Sequence, residues 1–264
     1  MLVLKKAVFI CLTGLSAFGA NAQRNDLSDQ PTGYNDTTTF TKTFESKKDR
    51  LWPVVIAPSL MIGYGVASIH SHSLLHLNSE VKYEVYSEHP HMKVGIDTYL
   101  QFVPAALVYG LDGLGIHGHH NVRDQSMLYI LSNMIANGIV YPVKKYTHEL
   151  RPDGSSYTSF PSGHTAEAFA SATFLWNEYR NVSVWYGVAG YAMAATTGYL
   201  RLYNNRHWLS DVIAGAGVGI ASTEIAYWLY PKIVKLFTKD KSQKNFLIPQ
   251  YQDKSVSLAF VHRL

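Results

Sequence analysis

A single cysteine, Cys11, stands in the whole 264-residue chain, and it lies inside an apolar N-terminal run. With that run removed no thiol is left, which excludes disulfide bonds and cysteine-ligated metal. Charge is also scarce. Charged residues make up 16% of the chain and apolar residues 47%, whereas an average soluble protein is about 25% charged. The net charge is only +4, and there is no long basic run of the kind that engages nucleic acid. No nucleic-acid partner is expected. Internal repeats and low-complexity segments are missing too. What remains suits one large domain, globular or partly embedded in a membrane.

The first residues follow their own logic. Lys5 and Lys6 precede an uncharged, mostly apolar stretch from Ala7 to Ala20, and Ala20-Asn21-Ala22 presents small residues where a signal peptidase reads. This is the pattern of a secretory signal peptide, residues 1–22, cut before Gln23. An uncleaved anchor helix is the alternative. No cysteine occupies a cleavage position, so nothing supports a lipoprotein. Residues 23–51 are rich in Asp, Asn, Thr and Lys and read as an exposed polar arm.

From residue 52 to 231, apolar runs of helical length alternate with polar connections. They are Trp52–Ile69, Thr98–Leu111, Met127–Val143, Thr165–Trp176, Val182–Leu200 and Val212–Tyr230. None alternates strictly, and all are too long for ordinary strands. Pro53, Pro142, Pro161 and Pro231 are expected to mark helix ends. The expectation is all-α, a six-helix bundle. A basic tail follows, residues 232–264, in which Ser255 to Val261 alternates polar and apolar and reads as a short strand.

A membrane span needs about 20 mostly apolar residues. Trp52–Ile69, Gln125–Val143 and Val182–Leu200 approach that length, while other runs are shorter or carry Glu167 or Glu224. Length and charge depletion favour a membrane-embedded bundle. Gly215, Gly217, Gly219 and Ala221 suit close helix packing in lipid or in a tight soluble bundle. The charge pattern conflicts with six spans, however. Lys232, Lys235, Lys239 and Lys241 place the C-terminus in the cytoplasm. Counting back six spans places Lys47, Lys48 and Arg50 there as well, whereas a cleaved signal leaves the mature N-terminus outside. Either the signal is not cleaved, or one run does not span, or the protein is not integral. Thr98–Leu111, interrupted by Gln101 and Pro104, is the weakest run.

Three segments join charge to a helix boundary. In Lys144-Lys145-Tyr146-Thr147-His148-Glu149-Leu150-Arg151-Pro152, Lys144 and Arg151 are two helical turns apart and are expected on one face. Phe160-Pro161-Ser162-Gly163-His164-Thr165 opens a helix, whose N-terminal amides bind anions, and Gly163 lets a phosphate approach the backbone. In the third segment, Arg201 to Asp211, His207 and Asp211 are four apart. On one helical turn Asp211 holds one ring nitrogen and leaves the other free to attack. Cations, an amide nest, two histidines and an orienting carboxylate are what phosphoryl transfer requires.

The pattern Lys144-x6-Arg151-Pro152, Pro161-Ser162-Gly163-His164 and Arg201-x5-His207-x3-Asp211 resembles the three-part motif of the type 2 phosphatidic acid phosphatase (PAP2) family. Bacterial class A acid phosphatases and vanadium haloperoxidases belong to the same family. The resemblance covers roughly residues 94–231 and departs at Leu200, where the family usually has Ser. It implies a PAP2-type bundle and a phosphatase without cofactor or metal. His207 would be the nucleophile forming a phosphohistidine, and Asp211 would orient it. His164 would protonate the leaving group and then activate water. Lys144, Arg151, Arg201, Ser162 and the Gly163 amide would hold the phosphate.

The expected function is hydrolysis of a lipid phosphate in the bacterial envelope, at an inner-membrane site facing the periplasm. Phosphatidic acid, phosphatidylglycerol phosphate, undecaprenyl diphosphate and a lipid A phosphate are the candidate substrates. A soluble periplasmic acid phosphatase is the alternative, ahead of a vanadium haloperoxidase or a histidine-rich binding protein. The remaining histidines, His70, His72, His76, His89, His91, His117, His119 and His120, fit no single helix face and read as loop residues rather than metal ligands. Arg206 reads as a phosphate or headgroup contact and Asp153 as a group that orients an arginine. Residues 71–93 and 112–123 are expected to line the approach to the site.

Overall fold

The computed structural model describes residues 51–88, 91–238, 245–252 and 255–262. The expected signal peptide and nearly all of the polar arm lie outside the described residues, as does His89. The helices are α1 (Leu51–His70), α2 (His72–Lys82), α3 (Asp97–Leu100), α4 (Val103–Gly113), α5 (Val122–Thr147), α6 (Gly163–Tyr179), α7 (Val184–Tyr203) and α8 (Leu209–Thr238). A π-helical turn, Tyr83–Ser87, extends α2. In the tail, β1 (Asn245–Gln252) pairs antiparallel with β2 (Ser255–His262), in register from Asn245 opposite His262 to Gln252 opposite Ser255.

The all-helical reading of the domain holds, but the runs do not map one to one. Residues 72–82, rich in His, Ser and Leu without a long apolar run, form a helix that sequence reading missed. The Thr98–Leu111 run splits into α3 and α4, with Pro104 at the start of α4, where a proline costs no hydrogen bond. Pro142 and Pro231 lie inside helices rather than at their ends. Neighbouring helices and local adjustment absorb such prolines in membrane-type bundles. The expected boundary at residue 231 therefore falls within α8.

α6 is the central helix. Thr165, Ala166, every residue from Ala168 to Leu175, and Asn177 to Tyr179 are buried. A helix that is small and apolar all round can only be stable when surrounded. α7 and α8 pack directly against it, with α4 and α5 beside them, and α1 and α5 pack on α8. The α6–α8 crossing depends on Gly219. A Cβ there would lie 2.2 Å from the Ala166 carbonyl oxygen and 2.9 Å from the Ala170 nitrogen. Both atoms are backbone and cannot rotate away. Gly219→Ala is expected to destabilise the fold by about 1–3 kcal/mol through overpacking. Thermal unfolding in detergent measures it, and an unchanged melting temperature would contradict this crossing.

α5 carries apolar side chains on both faces. Its buried residues are Gln125, Leu128, Ser132, Ala136 and Val140, spaced three or four apart. Its outward residues include Met127, Ile130, Met134 and Tyr141. The bundle face mixes Gln125, Ser132 and Ala136 with Leu128 and Val140, while large apolar side chains also face outward, as suits a helix in lipid. Among the described residues, Val122–Thr147 and Leu209–Leu236 are long and apolar enough to cross a membrane, and the bent pair formed by 54–70 and 73–87 would make a third. The Val182–Leu200 run is not among them, because Tyr186, Tyr191, Thr196, Thr197 and Tyr199 dilute its apolar character. The count of six spans, which set the charge pattern against a cleaved signal, is not met by these helices.

Candidate active site

The end of α5, the start of α6, the end of α7 and the start of α8 carry the three motifs. α5 ends where His148 turns left-handed (φ 48°, ψ 35°). Lys144 therefore sits in the last turn of α5, whereas Arg151 lies in the following loop. The expectation that the two share a helix face is corrected here, because the helix stops before the second turn is complete. The loop nevertheless returns Arg151. Lys144 is close enough to Arg151, Arg201 and Asp211 to feel each charge. Lys144 Nζ also donates to the Thr158 carbonyl (2.8 Å) and the Ser159 carbonyl (3.2 Å), which ties the end of α5 to the loop.

The Ser162-Gly163-His164 segment starts α6. Ser162 is the N-cap and fully buried. Its Oγ lies 2.8 Å from Thr165 Oγ1 and accepts the Thr165 N–H at 3.4 Å. In this structure its hydroxyl serves the cap. A Cβ on Gly163 would make only ordinary contacts, with Val140 and Lys144, so protein packing alone does not demand glycine there. The Ser162 N–H donates to the Asp211 carbonyl oxygen at 3.0 Å, joining the second motif to the third.

In the third motif, α8 begins at Leu209, so His207 lies just outside the helix rather than on its first turn. Asp211 still reaches it. Asp211 Oδ2 accepts from the Trp208 N–H at 2.9 Å, in the manner of a carboxylate in a capping box. The same oxygen lies 3.2 Å from His207 Nδ1 and accepts a hydrogen bond from Ser159 Oγ. The cap thus fixes the carboxylate, and the carboxylate fixes the ring. With Nδ1 engaged, His207 Nε2 is the nitrogen left to act on a ligand. Burial draws His207 down to about 4, against the opposing pull of Asp211. The imidazole is then neutral, and nucleophilic, near neutral pH.

Arg201 closes the far side from the last turn of α7. Its Nη1 donates to Asp97 of α3, and both side chains are buried. Arg151 Nε and Arg201 Nε are buried yet donate to no acceptor among the described residues. Buried guanidinium donors without acceptors are costly and mark the position an anion would take. His164 senses Arg201, Asp97, Arg151 and Lys144 together. Burial, followed by the Arg201 charge, draws it down to about 4. An anion seated among these cations would reverse their effect and favour a proton on His164. All eight expected site residues lie on the three segments that converge here, with Ser162 committed to its cap and Asp211 to the His207 ring and the start of α8.

Sequence reading missed Asp97 and Ser159. Neither belongs to a motif, and each acts across a long separation in the chain. Asp97→Ala would leave the Arg201 guanidinium buried without its partner. A loss of about 3–5 kcal/mol in stability is expected, together with weaker phosphate binding. Unfolding and KM measured on the same preparation test both.

Other residues are placed differently from expectation. Arg206 pairs with Asp153 at 3.1 Å, so Asp153 orients an arginine, and that arginine is Arg206. Lys82, at the end of α2, donates to the Pro152 carbonyl at 2.8 Å and lies over the Trp208 ring, so residues 71–93 do reach the site. Residues 112–123 do not. Gly118 packs on Glu178, and His120 is a buried partner of Glu178 (2.8 Å), not a surface loop residue. Glu178 lies 14 residues along α6 from His164, or about 20 Å. His91 stacks on Tyr203. Among the described residues no cluster of three His, Cys, Asp or Glu could hold a metal ion.

Residues 125–235 match the PAP2 superfamily model, a narrower span than the 94–231 read from the motifs, but one that contains all three. The lipid A 1-phosphatase of Porphyromonas gingivalis is 40% identical over 159 residues, 60% of this chain and 35% of that protein. The chain thus spans about a third of that relative's length. Among solved structures, Aquifex aeolicus LpxE is 26% identical with a TM-score of 0.44, covering 57% of this chain and 94% of the other. The transmembrane PAP2 type phosphatidylglycerolphosphate phosphatase of Bacillus subtilis is 18% identical with a TM-score of 0.37, covering 74% and 94%. The three cations that gather around the His207–Asp211 pair all lie within the segment, residues 125–235, that is similar to the PAP2 superfamily.

Proposed function

We propose that this chain is a phosphatase that removes phosphate from a lipid through a phosphohistidine on His207, with lipid A 1-phosphate the first substrate to test. The observation that carries the reading is the pair of buried guanidinium donors, Arg151 Nε and Arg201 Nε, left without acceptors beside a histidine held by Asp211. Lys144, Arg151, Arg201 and the amides at the start of α6 bind the phosphate oxygens and offset their charge as the reaction proceeds. His207 Nε2 attacks phosphorus in line. The N–P bond forms as the bond to the leaving oxygen breaks, and His164 gives that oxygen its proton. Water then attacks the phosphohistidine, giving up a proton to His164, and phosphate leaves with His207 restored.

Three fixed cations supply the charge that a metal ion supplies in other phosphatases, so no metal is required in this scheme. The outward apolar face of α5 supports a lipid environment, and the apolar N-terminal run supports an envelope protein with the site facing the periplasm. The lipid A reading rests on the 40% identical relative. A panel on detergent-solubilised protein tests it: lipid A, phosphatidic acid, phosphatidylglycerol phosphate, undecaprenyl diphosphate and a small phosphomonoester, with and without a chelator. Phosphate released only from the small ester, by a protein that is monomeric without detergent, would select the soluble acid phosphatase instead.

A further inference from the structure

Behind the His207–Asp211 pair lies a second carboxyl that no motif includes. Glu149 stands in the loop after α5, between His148 and Arg151. Its carbonyl accepts the Ser159 N–H at 3.0 Å, and the Ser159 hydroxyl donates to Asp211. The backbone thus sets Glu149 against the same carboxylate that holds His207. Glu149 stands close enough to Asp211 to feel its charge. Yet Glu149 Oε2 and Asp211 Oδ1 are both buried, and neither receives a hydrogen bond from a donor among the described residues.

Two ionised carboxylates at that separation repel, and burial strengthens the repulsion. A proton shared between them removes the repulsion and satisfies both orphaned oxygens at once. We infer that Glu149 is protonated in the working enzyme and donates to Asp211, so that a carboxyl–carboxylate pair, rather than a lone carboxylate, backs the attacking histidine. Asp211 keeps the negative charge because its Oδ2 already accepts from Trp208 N–H and Ser159 Oγ and faces His207 Nδ1. Burial, followed by the Asp211 charge, pushes the Glu149 carboxyl up to about 8. Glu149 touches no substrate here and is a positioning residue.

The sign of the pH effect follows. Below about 8 the pair holds its proton and Asp211 stays in place. Above that, Glu149 ionises, the carboxylates separate, and His207 loses its orientation. Among the described residues, the other charged or titratable groups gathered at this site are Lys144 from α5, Arg151 from the loop, Arg201 from α7, and His164 and His207. Loss of charge on Lys144, or of the proton on His164, would also produce an alkaline decline. Glu149→Gln separates these causes, because glutamine donates the same hydrogen bond and does not titrate.

The inference rests on the phosphatase reading, and its test distinguishes the two. Phosphate release is measured against pH for the unmodified protein, Glu149→Gln, Glu149→Leu and His207→Ala in detergent. Glu149→Gln is expected to keep kcat at pH 7 within a few-fold and to move the alkaline decline up by a pH unit or more. Glu149→Leu should lower kcat about 10- to 100-fold, the usual cost of losing an outer-shell partner, with little change in KM. If Glu149→Leu does not fold, the glutamine variant alone decides. An alkaline decline unmoved by Glu149→Gln would assign it to Lys144 or His164 and overturn the inference. Difference infrared spectroscopy provides a readout independent of turnover. A protonated-carboxyl band at pH 7 should be present in the unmodified protein and lost in Glu149→Gln, and its absence from both would overturn the inference. If the unmodified protein releases no phosphate, the phosphatase reading fails while the infrared comparison still decides the proton on Glu149.

Discussion

His207→Ala is expected to lower phosphate release by about 10⁴-fold or more, the scale of loss when a covalent nucleophile is removed. The reason lies in the separation of roles. In the proposed scheme Lys144, Arg151 and Arg201 bind the phosphate oxygens and survive the substitution, so substrate should still bind with a KM near the original. The attacking nitrogen is lost, and no neighbour can replace it. His164, the other histidine of the three segments, opens α6 and in the proposed scheme gives a proton to the leaving oxygen. The check is a single-turnover assay with labelled substrate. The unmodified protein should carry an acid-labile phosphoryl group and His207→Ala none. A variant that retains more than about a hundredth of the original kcat, well above what removal of a nucleophile leaves, would place the attack elsewhere.

Asp211→Asn should be nearly as severe, lowering kcat by about 10³- to 10⁴-fold, as when the carboxylate behind a catalytic histidine becomes an amide. Asp211 Oδ2 collects the Trp208 N–H, the Ser159 hydroxyl and His207 Nδ1. An amide oxygen can take up two of these contacts but carries no charge to stabilise the imidazolium, and an amide nitrogen turned toward Nδ1 selects the wrong tautomer. The fold should tolerate the change, since asparagine fills the same volume and preserves the cap. An unfolding midpoint close to the original, together with the loss in kcat and a modest change in KM, is the expected combination. A large loss of stability with kcat intact in the folded fraction would make Asp211 a structural residue.

Glu149 shows why part of this site could not be read along the chain. It lies in the middle of the first motif, two residues before Arg151, yet nothing in its neighbours announces a buried carboxyl. Asp211, the partner inferred for it, comes from the start of α8. Asp97 is 104 residues from Arg201, and Ser159 is 52 from Asp211. These contacts exist only because α3, the loop before α6 and the start of α8 are packed together. Arg206 and Asp153 were both singled out from sequence, but their pairing appears only in three dimensions.

The local features were legible because local physics sets them. Apolar runs of helical length announced α1, α5, α6, α7 and α8. Ser162 before Gly163 announced a helix start, because a side-chain oxygen there can accept an orphaned N–H. His207 and Asp211 were near enough in sequence to meet whatever the rest of the chain did. Where local rules were extended too far, they failed. Lys144 and Arg151 have helical spacing, but the helix ends at a left-handed His148, and the loop brings Arg151 back instead. The sequence by itself determined the long helices α1, α5, α6, α7 and α8 and the kit of cations and histidines suited to phosphoryl chemistry. Tertiary structure alone decided which carboxylate steadies which cation, that Ser162 serves a cap, and that residues 112–123 lie at the far end of α6, because these depend on how the packed helices place groups distant in the chain.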